Sequence, residues 1–177
     1  MIILKLHCSD KRKAGVRLMK LYIKAKRFSW RDQLIVRDEQ DELVYKIKSE
    51  RISIGNKVHI VDHNEAEILS IEEKRIGFSP KYTIYQQGEK IASVKKESNL
   101  FASDYEIDNV NWKIKGNVDE EDYEIKAGFS EIASFKKKWF SYGDSYVLDV
   151  KEKQDAPLAL GIITAIWCLQ IDEQKEN

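Results

Sequence analysis

The sequence predicts a mainly β protein, a closed antiparallel barrel of about twelve strands enclosing a C-terminal apolar helix. Three observations lead there. From position 21 onward, short apolar–polar alternation rich in β-branched and aromatic residues is broken every six to ten residues by polar turns. A short phrase then recurs. It reads Phe28-Ser29-Trp30-Arg31-Asp32, Ile52-Ser53-Ile54-Gly55-Asn56, Phe78-Ser79-Pro80-Lys81-Tyr82, Phe101-Ala102-Ser103-Asp104-Tyr105 and Phe140-Ser141-Tyr142-Gly143-Asp144. The first four copies start 23 to 26 residues apart, the length of two strands and two turns, so the repeated unit is a hairpin and the whole a meander. Finally, residues 156–171 carry no charge and are bracketed by Asp155 and Asp172.

Taken in order, strands are expected at 22–28, 34–38, 44–48, 57–62, 68–74, 82–85, 90–97, 105–108, 111–115, 123–126, 131–137 and 146–150. The uncharged segment reads as a helix, with Asp155 as N-cap and Pro157 where a first turn tolerates it. Large apolar residues at 158, 160, 162, 163, 166, 167, 169 and 171 point all round such a helix, which must therefore be enclosed. Sixteen residues reach about 24 Å, short of the ~30 Å hydrocarbon slab. Eight large side chains would contribute ~12–24 kcal/mol gross if buried. A barrel wider than about eight strands needs something inside it, and a central helix is one known answer. A plug within the barrel is the preferred reading, and a membrane-spanning or membrane-dipping tail the other.

The 177 residues fit one domain of ordinary size. Thirty basic and thirty acidic residues cancel, which argues against a general nucleic-acid binder. Cys8 and Cys168 form no disulfide framework, as expected of a reducing compartment. Residues 1–18 carry a net +4 and lack the charge order of a secretory signal. They read as an N-terminal extension, from an upstream start with Met19 as second initiator, or else as an extra edge strand or basic arm. The barrel domain is expected over 19–172, followed by a polar tail at 173–177.

Met19-Lys20-Leu21-Tyr22-Ile23-Lys24, the Phe28-Ser29…Asp32 element, the run Lys137-Lys138-Trp139-Phe140-Ser141-Tyr142-Gly143-Asp144-Ser145-Tyr146 and the final apolar segment resemble the LURP-one-related family, bacterial branch, within the tubby C-terminal-like group. Bacterial members are expected to carry Trp where this sequence has Tyr142. The resemblance implies a twelve-stranded barrel around a C-terminal helix, in a family branch with no established enzymatic activity. Tubby relatives bind phosphoinositide headgroups through basic residues, and phospholipid scramblases share the fold, so a lipid-facing role is implied by analogy alone.

Dinucleotide, P-loop and nucleophile-elbow motifs are absent. His59 and His63, with Asp62 and Glu65, do not share a face on a strand entering a turn, and no metal is expected there. Cys168 reads as a small core residue. Asp32, Asp104 and Asp144, with Asn56 in a similar place, read as turn-capping groups. An enzyme whose acidic pocket is built from these Asp-bearing turns is the alternative function. Alternation turns Lys96, Lys137 and Glu73 inward at their strand ends, where Glu73 is expected to pair with the lysines unless an anion takes its place. Lys136, Lys137 and Lys138 before Trp139 look like a membrane-contact patch. The expected function is thus a non-enzymatic barrel that binds an anionic lipid headgroup or acts as an interaction scaffold, through Lys95, Lys96, Lys136, Lys137, Lys138 and Trp139. No cofactor is expected. Anionic phospholipid or a membrane surface is the expected partner, and the setting is cytoplasmic or peripheral to a membrane.

Overall fold

The computed structural model describes residues 18–24, 33–51, 55–76, 79–99, 102–140 and 143–176. All twelve expected strands are present. They are β1 (Met19–Lys24), β2 (Gln33–Arg37), β3 (Leu43–Arg51), β4 (Asn56–Asp62), β5 (Glu67–Ile76) and β6 (Ser79–Gln86). After them come β7 (Glu89–Asn99), β8 (Ala102–Asp108), β9 (Lys113–Asn117), β10 (Asp122–Ala127), β11 (Ser130–Phe140) and β12 (Gly143–Val150). Of the recurring phrases, residues 28–32, 52–54, 78, 101 and 141–142 lie outside the described residues.

Consecutive strands other than β8 and β9 pair antiparallel, and the wall rolls up where the first strand meets the last. Met19↔Val150 through Lys24↔Ser145 are in register across the β1–β12 junction. The ladder runs β8-β7-β6-β5-β4-β3-β2-β1-β12-β11-β10-β9, so β8 and β9 are its two ends. They approach each other without forming a ladder, and the barrel is nearly closed, with a seam between them.

The hairpin turns at one end are built by side chains. Asp38 accepts the N–H groups of Gln40 and Glu42, both at 2.9 Å. Asp62 does the same for Asn64 at 2.8 Å and Ala66 at 2.9 Å. In both turns the third residue on, Asp41 or Glu65, has a left-handed φ, which the short aspartate bridge stabilises.

Inner faces alternate as the sequence predicts. Leu21 and Ile23, Leu34 and Val36, Leu69 and Ile71, Ala92 and Val94, and Ala133 and Phe135 are all buried. The helix α1 (Ala156–Glu176), entered through a 3-10 turn at Lys153–Asp155, fills the interior. Its residues 159–169 are buried without a break, which consumes an apolar surface that faces every direction. By length and composition α1 would cross a bilayer, but the sheet already encloses it, and the membrane-tail reading is set aside. The apolar segment does not end the helix. It continues to Glu176, through residues that read as a polar tail.

The plug is off-centre, lying nearest β5, β6 and β7. Gly161 permits this, since a Cβ there would stand 3.0 Å from Leu69 Cδ1 and 3.5 Å from Ile84 Cγ2. The wider gap opposite is filled by rings. Phe135 lies 5.1 Å from Tyr123 and 5.4 Å from Tyr146, centroid to centroid. Trp167 meets Phe135 and Tyr146 edge-on at 5.6 and 5.1 Å, an arrangement favoured by the ring quadrupoles.

Candidate functional site

The polar chemistry of the interior gathers at the rim where α1 ends. Odd-numbered strands finish there and even-numbered strands start there, so each inward row changes from apolar to polar at the same level. Lys96 follows Ala92 and Val94, Lys137 follows Ala133 and Phe135, and Glu73 follows Leu69 and Ile71. This is the inward row expected from alternation. Its pairing differs from expectation. Glu73, only 4% exposed, bonds to Arg75 Nε at 2.9 Å and accepts from Asn56 Nδ2 at 2.7 Å. Lys96 instead reaches Glu173 on α1 at 2.8 Å, and Lys137 reaches Glu121 in the β9–β10 turn at 3.1 Å. Lys96 finds its carboxylate on the helix end that reads as a polar tail.

Of the other expected contacts, Lys95 pairs with Glu106 at 2.5 Å and Lys136 with Asp122 at 3.3 Å, each directly across its ladder on the outer face. Lys138 is exposed and has no ion-pair partner among the described residues. Trp139 belongs to β11, and its side chain lies outside the described residues. The lysines of β7 and β11 do not form one patch. Strands β8, β9 and β10, with the unladdered seam, lie between them.

On the β4–β6 side, Tyr82 donates its hydroxyl to Asp172 Oδ2 at 2.5 Å, and Lys175 holds the other oxygen at 3.0 Å. The amide of Asn56 also touches the Tyr82 oxygen, linking the helix end to Glu73. Burial above all, with the charge of Asp172 adding to it, pushes the Tyr82 phenol far up, so it remains a donor. Burial likewise raises the Cys168 thiol well above its ordinary value, and the charges of Asp172 and Glu73 raise it further. Such a thiol is inert. An open depression of about 660 Å³ lies over Gly55, Asn56, Glu73, Lys74 and Arg75. Glu73 and Asp172 are both tied to cations and to neutral donors.

On the seam side, the β9–β10 turn closes the rim. Val118 is buried, its carbonyl accepts from Glu121 N–H at 3.1 Å, and the Gln170 amide approaches that carbonyl at 3.5 Å. Gly116, with φ +120°, lets β9 lie against β10, where a Cβ would meet Asp122 O at 2.7 Å. Glu121 itself has a left-handed φ of +57°. Its backbone carbonyl accepts from Lys137 N–H at 3.0 Å. Its carboxylate takes Lys137 Nζ and accepts the Tyr146 hydroxyl at 3.0 Å. Lys137 Nζ also sits 5.9 Å above the Tyr146 ring, a cation–π contact. Below this turn the hydroxyls of Tyr105 and Tyr123 are buried and have no hydrogen-bond partner among the described residues. Burial raises both phenols, with Glu173 and Asp119 adding at Tyr105, and Tyr105 and Glu121 at Tyr123.

Elsewhere, His59 lies between Glu67 and Glu50, and His63 sits in the next turn beside Asn64. Asn56 binds the Glu73 carboxylate, a different partner from the backbone groups expected of it. Asp32, and the side chains of Asp104 and Asp144, lie outside the described residues. The tyrosine cluster is absent from the sequence reading. The signal that could have found it is the inward position shared by Tyr82, Tyr105, Tyr123 and Tyr146, each beginning an apolar row.

Comparison with known proteins agrees with this architecture. The Bacillus subtilis (strain 168) protein YxjI, described as uncharacterised, is 25% identical over 160 residues, covering 90% of this chain and 99% of that one. An X-ray structure of an Arabidopsis thaliana protein superposes with a TM-score of 0.57 at 16% identity, covering 84% of this chain and 90% of the other, which shows a shared fold. The profile of the LURP-one-related family matches residues 19–167, from the strand that closes the wall to the Trp at the centre of the plug, and the chain belongs to that family.

Proposed function

We propose that this barrel works by binding and performs no catalysis, and that its ligand is the headgroup of an anionic phospholipid held at the rim where α1 ends. One observation carries the reading. Lys96 and Lys137 end otherwise apolar inward rows at that rim, next to the outward Lys95, Lys136 and Lys138. The remaining interior is filled by the helix and the aromatic rings, so a ligand is met first at the rim. Lysine attracts an anionic surface by roughly 1 kcal/mol per residue near it. Four of the five lysines already face carboxylates, so the ligand must compete for them. A dense anionic surface does this more readily than a dilute solute. Under this reading the protein is cytoplasmic and peripheral to the membrane.

Flotation with phosphatidylcholine vesicles, with and without phosphatidylglycerol, tests the proposal. Binding should require the anionic lipid, fall as salt rises, and be lost on reversing Lys136, Lys137 and Lys138 to Glu. Equal recovery with neutral vesicles, or binding that survives the reversal, would remove the reading and leave a protein-interaction scaffold in its place.

A further inference from the structure

The acidic run Asp119-Glu120-Glu121-Asp122 does not simply face solvent. It is laid onto the lysine run, Asp122 on Lys136 and Glu121 on Lys137 and Tyr146. A carboxylate held by one ammonium and one phenol O–H has the same partners that a phosphate oxygen would take. The position is occupied at a cost. A left-handed non-glycine residue such as Glu121 costs roughly 1–2 kcal/mol, and such strain concentrates where function retains it. The two hydroxyls beneath, unpartnered among the described residues, supply a second, independent observation. Tyr105 is 6% and Tyr123 2% exposed. Burying a hydroxyl without a partner costs about 1–3 kcal/mol, which Phe at either position would avoid. They stand on β8 and β10, either side of the edge strand β9, at the one junction where the wall is not laddered. Lys96 lies directly across the ladder from Tyr105.

We propose that the 118–121 turn is a built-in stand-in for the ligand. A phosphate group entering at the seam displaces Glu121 from Lys137 and Tyr146, and gains the O–H groups of Tyr105 and Tyr123 as new donors. The exchange also removes the turn's negative charge from the site. This rests on the anionic-ligand reading above and adds where the group sits and what holds the site shut.

The test pairs two probes, phosphatidylglycerol vesicles and inorganic phosphate, with two kinds of variant. Glu121→Gln should bind about tenfold more tightly than the unaltered chain, having lost a competing charge, which corresponds to about 1.4 kcal/mol. Tyr105→Phe with Tyr123→Phe should bind about tenfold more weakly, yet melt at the same temperature or higher, because an unpaired buried group has gone. A purely structural role for the tyrosines would not separate the two readouts in that way. Response to dissolved phosphate identifies a free anion as sufficient, and response to vesicles alone identifies the headgroup. If Glu121→Gln does not fold, Asp122→Asn, which releases the exposed Lys136, should tighten binding about threefold. Should the unaltered chain bind vesicles and the turn variants bind no better, the stand-in is refuted and the lipid reading stands. If no variant binds either probe, both are refuted.

Discussion

Replacing Tyr82 with Phe removes the hydroxyl that joins plug to wall, together with its contact to the Asn56 amide. The ring keeps its volume, so no cavity forms and the hydrophobic contribution is unchanged. What is lost is the O–H donor 2.5 Å from Asp172 Oδ2. That carboxylate, 5% exposed, retains Lys175 at 3.0 Å, and the Asn56 amide retains Glu73 at 2.7 Å. A hydrogen bond to a charged group contributes about 1.5–3 kcal/mol, and the low exposure of this one places the expected loss at the upper end, ~2–3 kcal/mol. For a domain of this size that lowers Tm by roughly 5–10 °C. Urea titration should shift the midpoint and leave the slope unchanged, since the buried surface is the same. A double-mutant cycle with Asp172→Asn should return a coupling of ~1.5 kcal/mol or more. A Tyr82→Phe loss below ~0.5 kcal/mol, within the range of ordinary surface changes, would refute the assignment of this bond as the anchor of the helix end.

Gly161→Ala gains helix propensity of about 1 kcal/mol but places a methyl against Leu69, at an overpacking cost of ~1–3 kcal/mol. The net effect should be destabilising, and Leu69→Val should reverse it, as read by thermal melts of the single and double variants. Asp108 is held below its ordinary range chiefly by its hydrogen bond from Lys81, at 2.7 Å. A depressed carboxylate contributes stability that is complete above its unfolded value of about 3.9 and is lost as pH falls through its lower folded value. Lys81→Met should therefore remove part of the stability at neutral pH and flatten its loss below pH ~4, measured by urea midpoints across pH. In a Cys8→Ser background, Cys168 should react with a disulfide reagent only at the rate of global unfolding, since it is buried under the sheet. Fast labelling of the folded protein would contradict the enclosed helix.

The twelve strands were legible because a period of two with one buried face is a strong local signal. The plug was legible because an all-round apolar helix has few places to go. The seam was not, since nothing local to β8 or β9 marks them as ends of the ladder. That follows from the β1–β12 pairing, over a hundred residues apart in sequence. Direction of side chains was readable and partnership was not. Alternation turned Lys96, Lys137 and Glu73 inward, but the carboxylates that meet the two lysines come from the plug and from a turn, placed by register and by helix length. Glu173 lies 77 residues beyond Lys96. The Asp38 and Asp62 turns carry a visible Asp with a polar stretch after it, whereas Glu121 sits in a conformation that no glutamate would signal.

The barrel also constrains how the molecule can be made. Its first strand is stitched to its twelfth, and the plug follows only after that twelfth strand in the chain. A chain leaving the ribosome therefore carries a full set of inner faces with nothing yet to wrap. Rolling the wall shut and seating the helix become a single late event, governed by the most distant contacts in the chain, which folding reaches slowest. Until then the greasy lining is exposed, and chaperones have most to do in the interval before residue 176 emerges.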